Sequence, residues 1–106
     1  MRITLVKKRL SDGNLCSKCR DVHARLQDND QLKFIDRVLI AEEGDTSSEG
    51  TQLARQLGVD KAPFFVVEGR DGRHDVYTVY FKFAREVLAP LQQGAQPGAN
   101  RASSTA

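Results

Sequence analysis

The stretch that decides the fold covers residues 3–26 and reads ITLVKKRLSDGNLCSKCRDVHARL. It begins with a short apolar run, typical of a buried strand, and continues into turn-forming residues at positions 11–14. Apolar residues then recur at steps of four, three and four, as on one face of a helix: Leu15, Cys19, Val22 and Leu26. We therefore predict a strand over residues 3–7 and a helix over residues 16–28 that starts at the cysteine pair.

The pair consists of Cys16 and Cys19, separated by Ser17 and Lys18. The amino terminus has no apolar stretch of signal-peptide length, and no run of about 18 apolar residues could span a membrane. We therefore expect a soluble cytoplasmic protein that does not bind membranes. In that reducing compartment, closely spaced cysteines are more often catalytic, redox-sensing or metal-binding than structural. A bond closing so short a loop would also constrain the unfolded chain little.

The rest of the chain supplies a second strand, a second helix and a hairpin. The apolar run at residues 38–41 is of the kind found in the middle of a parallel sheet. Thr46 to Glu49 has the spacing of a capping box, which predicts a helix start, and Gly58 is suited to end that helix. Strands over residues 64–68 and 75–80, joined by a turn, complete the hairpin.

A last helix follows the hairpin, with Phe83, Ala84, Val87, Leu88 and Leu91 facing inward. The aromatic residues of the hairpin and this helix are interpreted mainly as core, with some at the rim of the site; they are Phe64, Phe65, Tyr77, Tyr80, Phe81 and Phe83. From residue 92 the chain has no periodicity and little to bury. We therefore predict one domain over residues 1–91 and a flexible tail over residues 92–106.

Length and charge limit the classes of function. A chain of 106 residues fits one small domain, which buries roughly 60 to 65% of its unfolded surface. The 16 basic and 14 acidic residues give a net charge of +2 and form no block of one sign. A nucleic-acid partner is therefore not expected.

The predicted fold class is α/β, in the order βαβ-α-ββα, with a four-stranded mixed sheet flanked by three helices. The first two strands should be parallel through a right-handed crossover, and the last two should form an antiparallel pair. This order, with a cysteine pair at the first helix start and a proline before the third strand, resembles the minimal thioredoxin fold found in glutaredoxins.

The resemblance covers about residues 1–91 and implies a thiol-disulfide oxidoreductase with a redox-active disulfide. By analogy with that family, Cys16 is the attacking thiol and Cys19 the resolving thiol. The analogy also implies a cis peptide bond at Pro63, facing the cysteines, and pairing of the Ala62 backbone with an extended substrate segment. The expected partners are protein disulfides and an upstream dithiol reductase.

Independent physical reasons favour a thiolate at Cys16. Its predicted position at a helix start exposes it to the positive end of the helix dipole, and Lys18 adds positive charge nearby. Lys7, Lys8 and Arg20 are further candidates for such an effect. No cofactor is expected, since the chain lacks the Gly-Gly and acidic turn that holds glutathione in glutaredoxins.

Two other functions fit the same residues. One is a redox-sensing adaptor, in which the cysteine pair toggles binding to a partner with little turnover. The other is a zinc-binding domain with Cys16, Cys19, His23 and His74 as ligands. Otherwise, His23 would be an exposed helix residue and His74 a turn residue.

Overall fold

The computed structural model describes residues 1–94. Its strands are β1 (Arg2–Arg9), β2 (Arg37–Glu42), β3 (Phe64–Glu68) and β4 (His74–Tyr77). Its helices are α1 (Ser17–Asp28), α2 (Glu49–Leu57) and α3 (residues 80–92). A 3-10 turn over Leu32–Phe34 lies between α1 and β2. The predicted order of strands and helices is confirmed.

The four strands form one mixed sheet in the order β2-β1-β3-β4. Strand β1 pairs parallel to β2 and antiparallel to β3, and β3 pairs antiparallel to β4. The α/β class and the predicted strand directions are therefore confirmed. The interpretation of residues 38–41 as a central strand is wrong: β2 lies at the sheet edge, where Val38 is 47% exposed.

Each face of the sheet has its own apolar cluster, because successive side chains of a strand point to opposite faces. One cluster joins β1 and β3 to α1 and α3; it contains Ile3, Leu5, Leu26, Phe65, Val67, Phe83, Val87 and Leu88. The other contains Val6, Phe64 and Val66, with Leu53, Ala54 and Leu57 of α2 packed against it. The predicted inward stripes of α2 and α3 are thus confirmed.

Three predicted details are wrong. The capping box does not form: α2 has Ser48 as its N-cap residue, and the Ser48 hydroxyl donates to the backbone carbonyl of Asp45 instead. Strand β4 ends at Tyr77, and Tyr80 already begins α3. The central position of residues 38–41 is the third. Phe81, 64% exposed at the start of α3, belongs to the part of the aromatic group that was expected outside the core.

Helix α3 changes its winding at the middle. Alpha-helical turns over Tyr80–Phe83 and Ala89–Gln92 flank a π-helical stretch over Ala84–Leu88. Proline lacks a backbone N–H and its ring crowds the carbonyl four residues earlier. The wider π-helical turn therefore accommodates Pro90, which is buried.

Gly50 allows α2 to approach β2 closely. A Cβ atom at this position would lie 2.4 Å from the backbone nitrogen of Ala41 and 2.5 Å from the carbonyl carbon of Ile40. Because both contacts are with backbone, no side chain can move aside. Gly50→Ala is therefore expected to destabilise the fold by about 3 kcal/mol, the upper end for overpacking.

Thermal denaturation measures this effect, and about 3 kcal/mol corresponds to a fall in Tm of about 10 to 20 °C in a domain of this size. Gln52→Ala, at an exposed position of the same helix, is the matched control. It should shift Tm by only a few degrees. Equal shifts in the two variants would contradict this account of Gly50.

The predicted tail falls almost wholly on residues 95–106, which lie outside the described residues. Gln92 itself is the last residue of α3. Its side-chain amide donates to the backbone carbonyl of Asn29, 3.0 Å away. Within residues 1–94, no helix combines the length and the apolar character needed to cross a membrane.

Candidate dithiol site

The loop between β1 and α1 places Cys16 beside the end of β1. The Leu10 amide donates to the Asn14 carbonyl at 2.7 Å, so the loop folds back on itself. The Cys16 amide then donates to the Lys8 carbonyl at 3.1 Å, which ties the helix start to the strand. Cys16 is the N-cap residue of α1. Its predicted place at the helix start is confirmed.

The two cysteines face each other as free thiols. Their sulfur atoms are 2.8 Å apart and share a hydrogen bond. Cys16 is partly exposed, whereas Cys19 is only 1% exposed. The Cys16 sulfur caps no backbone amide of α1, so only the helix dipole acts on it from the helix start. The pair is therefore asymmetric, with one accessible and one enclosed thiol.

The environment of Cys19 keeps its proton in place. Burial is the main cause that raises the pKa of Cys19 to about 11, and its hydrogen bond with Cys16 adds to this effect. The Lys8 backbone amide opposes the shift by donating to the Cys19 sulfur at 3.2 Å. At neutral pH, Cys19 is therefore a protonated thiol, and its sulfur accepts the hydrogen bond that the Cys16 thiol donates.

Residues 61–63 lie before β3 and contribute to the same site. The peptide bond between Ala62 and Pro63 is cis, the isomer that the resemblance implied. In the described part of the chain, the Ala62 N–H and C=O make no backbone hydrogen bond. Both groups therefore remain able to pair with another chain.

Two grooves meet around this site. A groove of about 810 Å³ is lined by Cys16, Lys61 and Ala62 and by residues 42–46. A smaller groove of about 210 Å³ is lined by Pro63, Arg25 and Phe81. Lys18 is exposed and lines both grooves. Cys16, Lys18 and Ala62 thus line one groove, and Pro63 lines the other together with Lys18.

Two carboxylates in the lining of the larger groove accept hydrogen bonds from serine residues. The Ser11 amide donates to Glu43 at 3.0 Å and lowers the pKa of that carboxyl. The Ser47 hydroxyl and amide likewise lower the pKa of Asp45. Both side chains therefore stay ionised at neutral pH, so they are unsuited to proton transfer.

One polar contact near the cysteines was not predicted from the sequence. Lys7 is only 9% exposed, and its Nζ lies 2.8 Å from Nδ1 of His23, which is partly buried. The interpretation of His23 as an exposed helix residue is therefore wrong. His23 lies four residues after Cys19, on the same inward face of α1. This spacing was the feature of the sequence from which its partial burial could have been predicted.

The four predicted zinc ligands are not brought together. His23 contacts Lys7, while His74 begins β4 and lies 4.0 Å from a Glu68 carboxylate oxygen. Among residues 1–94, no three His, Cys, Asp or Glu side chains form a group that could hold a metal ion.

Comparisons of this chain with protein-family models, with characterised proteins and with solved structures find no match.

Proposed function

We propose that this protein exchanges thiols and disulfides with protein substrates through Cys16 and Cys19. The observation that carries the proposal is the asymmetric pair: the sulfurs are 2.8 Å apart, Cys16 is accessible from a groove, and Cys19 is enclosed. Thiol-disulfide exchange needs one exposed nucleophile and one sulfur within reach of it.

The proposed cycle has two displacement steps. The Cys16 thiol loses a proton to solvent, and its thiolate attacks one sulfur of the substrate disulfide. That disulfide breaks, and the first substrate sulfur leaves with the electron pair and takes up a proton. Cys19 then loses its proton and attacks the Cys16 sulfur, which releases the second substrate thiol. Two electrons have moved to the substrate, and the protein holds a Cys16–Cys19 disulfide.

The proposal includes a thioredoxin-like assignment of the fold. In support of it, the sheet order is β2-β1-β3-β4, the cysteines lie at the start of α1, and the cis proline precedes β3. An extended substrate segment would lie in the larger groove and pair with the free backbone groups of Ala62. Lys18, between the two grooves, would add positive charge near the reacting sulfurs.

The proposed setting is the cytoplasm, where a dithiol reductase would return the disulfide to the dithiol. The chemistry requires only the two cysteines and an external reductant. It therefore proceeds without a bound cofactor, and the proposed partners are proteins that carry disulfides.

Turnover of a protein disulfide tests this function. Reduction of insulin should be faster with dithiothreitol and catalytic amounts of the protein than with dithiothreitol alone. A rate equal to that of dithiothreitol alone would contradict the oxidoreductase proposal and favour a redox-sensing adaptor. In that case, oxidation of the pair should change partner binding without measurable turnover.

A further inference from the structure

Lys7 is a buried cation that the proposed cycle does not yet use. It follows Leu5 on the face of β1 that packs against α1, and its side chain is nearly enclosed. Burial of an ammonium group is costly unless it is paired. Within residues 1–94, Lys7 forms no ion pair with a carboxylate. Its side-chain partner there is His23, at 2.8 Å.

The contact has a defined direction when Lys7 carries its proton. A lysine ammonium has no lone pair, so its Nζ donates and Nδ1 of His23 accepts. His23 therefore holds the ammonium in place without neutralising its charge. Cys19 lies one helical turn before His23 on the inward face of α1. The Lys8 amide, next along β1, contacts the Cys19 sulfur at 3.2 Å.

The charges of Lys7 and Cys19 act on each other. Burial lowers the pKa of Lys7, and attraction to the ionised Cys19 sulfur opposes that shift. Burial raises the pKa of Cys19 to about 11, and the Lys7 charge is one of the causes that oppose this shift. An ionised Cys19 would thus have a buried cation as its counter-charge.

Among the described residues, the neighbours of Lys7 on β1 and β2 form no ion pair with it. Its partner on β2 is Ile40, which is apolar. Lys8 and Arg9, the next residues of β1, pair with Glu43 and Glu42 at 3.9 and 2.9 Å. The titratable groups that α1 and its N-cap residue bring to this region include His23 and the two cysteines.

We infer that Lys7, held by His23, stabilises the Cys19 thiolate as it attacks the Cys16 sulfur of the mixed disulfide. This inference rests on the proposed function. In that step the Cys19 proton passes to solvent, and a bond forms between the two cysteine sulfurs. The bond from Cys16 to the substrate breaks, and the departing substrate sulfur takes the electron pair and then a proton. Lys7 keeps its own proton and acts as a positioned charge.

The test is the ionisation of Cys19 in a Cys16→Ser background, where it is the sole thiol. Below its pKa, the rate of alkylation by iodoacetamide follows the thiolate fraction. Lys7→Met keeps an apolar chain but removes the charge, and should slow alkylation at pH 8 by about tenfold, equivalent to one pKa unit. Lys33→Met, which removes an exposed charge from the 3-10 turn, is the matched control and should leave the rate within twofold.

Two further variants separate charge from packing. Lys7→Arg retains the positive charge and should restore most of the alkylation rate. His23→Leu removes the hydrogen-bond acceptor of Lys7. It should also slow alkylation, but by less than Lys7→Met does. If circular dichroism shows that Lys7→Met does not fold, these two variants test whether the charge of Lys7 promotes ionisation of Cys19. An unchanged rate in folded Lys7→Met, or a rate in Lys7→Arg no faster than in Lys7→Met, would overturn the inference. An unchanged rate in His23→Leu would also overturn it.

A second measurement distinguishes this inference from the proposed function. With both cysteines present, Lys7→Met should form the mixed disulfide at the wild-type rate but resolve it about tenfold more slowly. If the mixed disulfide resolved at the wild-type rate, only the inferred role of Lys7 would be contradicted, and the proposed function would stand. If the wild-type protein attacks no disulfide, the proposed function fails, whereas the alkylation result still measures the coupling between Lys7 and Cys19.

Discussion

Cys16→Ser is expected to abolish disulfide reduction. The reaction requires a thiolate nucleophile, and a serine hydroxyl does not ionise appreciably at neutral pH. Loss of a nucleophile lowers the rate of an enzyme by about 10³-fold or more, so insulin reduction should fall to the level of dithiothreitol alone. Cys16 is partly exposed, and the replacement is nearly isosteric, so the fold should remain intact.

The two cysteines provide matched variants with the same chemical change. Cys19→Ser should retain the first attack on a disulfide, whereas Cys16→Ser should lose it. Stopped-flow measurement of the first substrate thiol released compares the two directly. Equal release by both variants, or release by Cys16→Ser alone, would show that the roles of the two thiols are assigned wrongly.

Cys19→Ser is expected to trap protein substrates as stable mixed disulfides with Cys16. Without the second thiol, nothing inside the protein attacks the Cys16 sulfur after the first step. The introduced hydroxyl can still accept from the Lys8 amide, which contacts the Cys19 sulfur at 3.2 Å, so the site should keep its shape. Mass spectrometry should find one substrate chain per protein, released by dithiothreitol.

The double variant Cys16→Ser with Cys19→Ser is the control for trapping and should form no adduct. In Cys16→Ser alone, the enclosed Cys19 should react slowly, because it is 1% exposed and its pKa is about 11. Adducts formed equally by the two single variants would contradict the asymmetry on which the proposed cycle depends.

Local patterns predicted most of the strands and helices. The apolar spacing from Leu15 to Leu26 predicted α1, and Gly58 has the left-handed backbone that ends α2, with φ 68°. The end of β4 and the start of α3 were predicted less well. Tyr77 to Tyr80 favours a strand by residue type, but the chain leaves the sheet after Tyr77 and Tyr80 starts a helix.

The burial of Lys7 could not be predicted from these local patterns. In a linear chain, Lys7 and Lys8 are equivalent neighbours with the same charge. Alternation along β1 turns Lys7 toward α1 and Lys8 toward the Glu43 side, and only the packed helix encloses one of them. For the same reason, the partner of His23 could not be inferred from helix periodicity.

The sequence by itself determined the spacing of the two cysteines, their place at a helix start and the order of the elements, because these depend on neighbours a few residues apart. Only the tertiary structure decided which strand lies at the sheet edge and which lysine is buried against α1. These depend on contacts between segments far apart in the chain, such as Lys7 with His23 and Cys16 with the groove formed by residues 42–46 and Ala62.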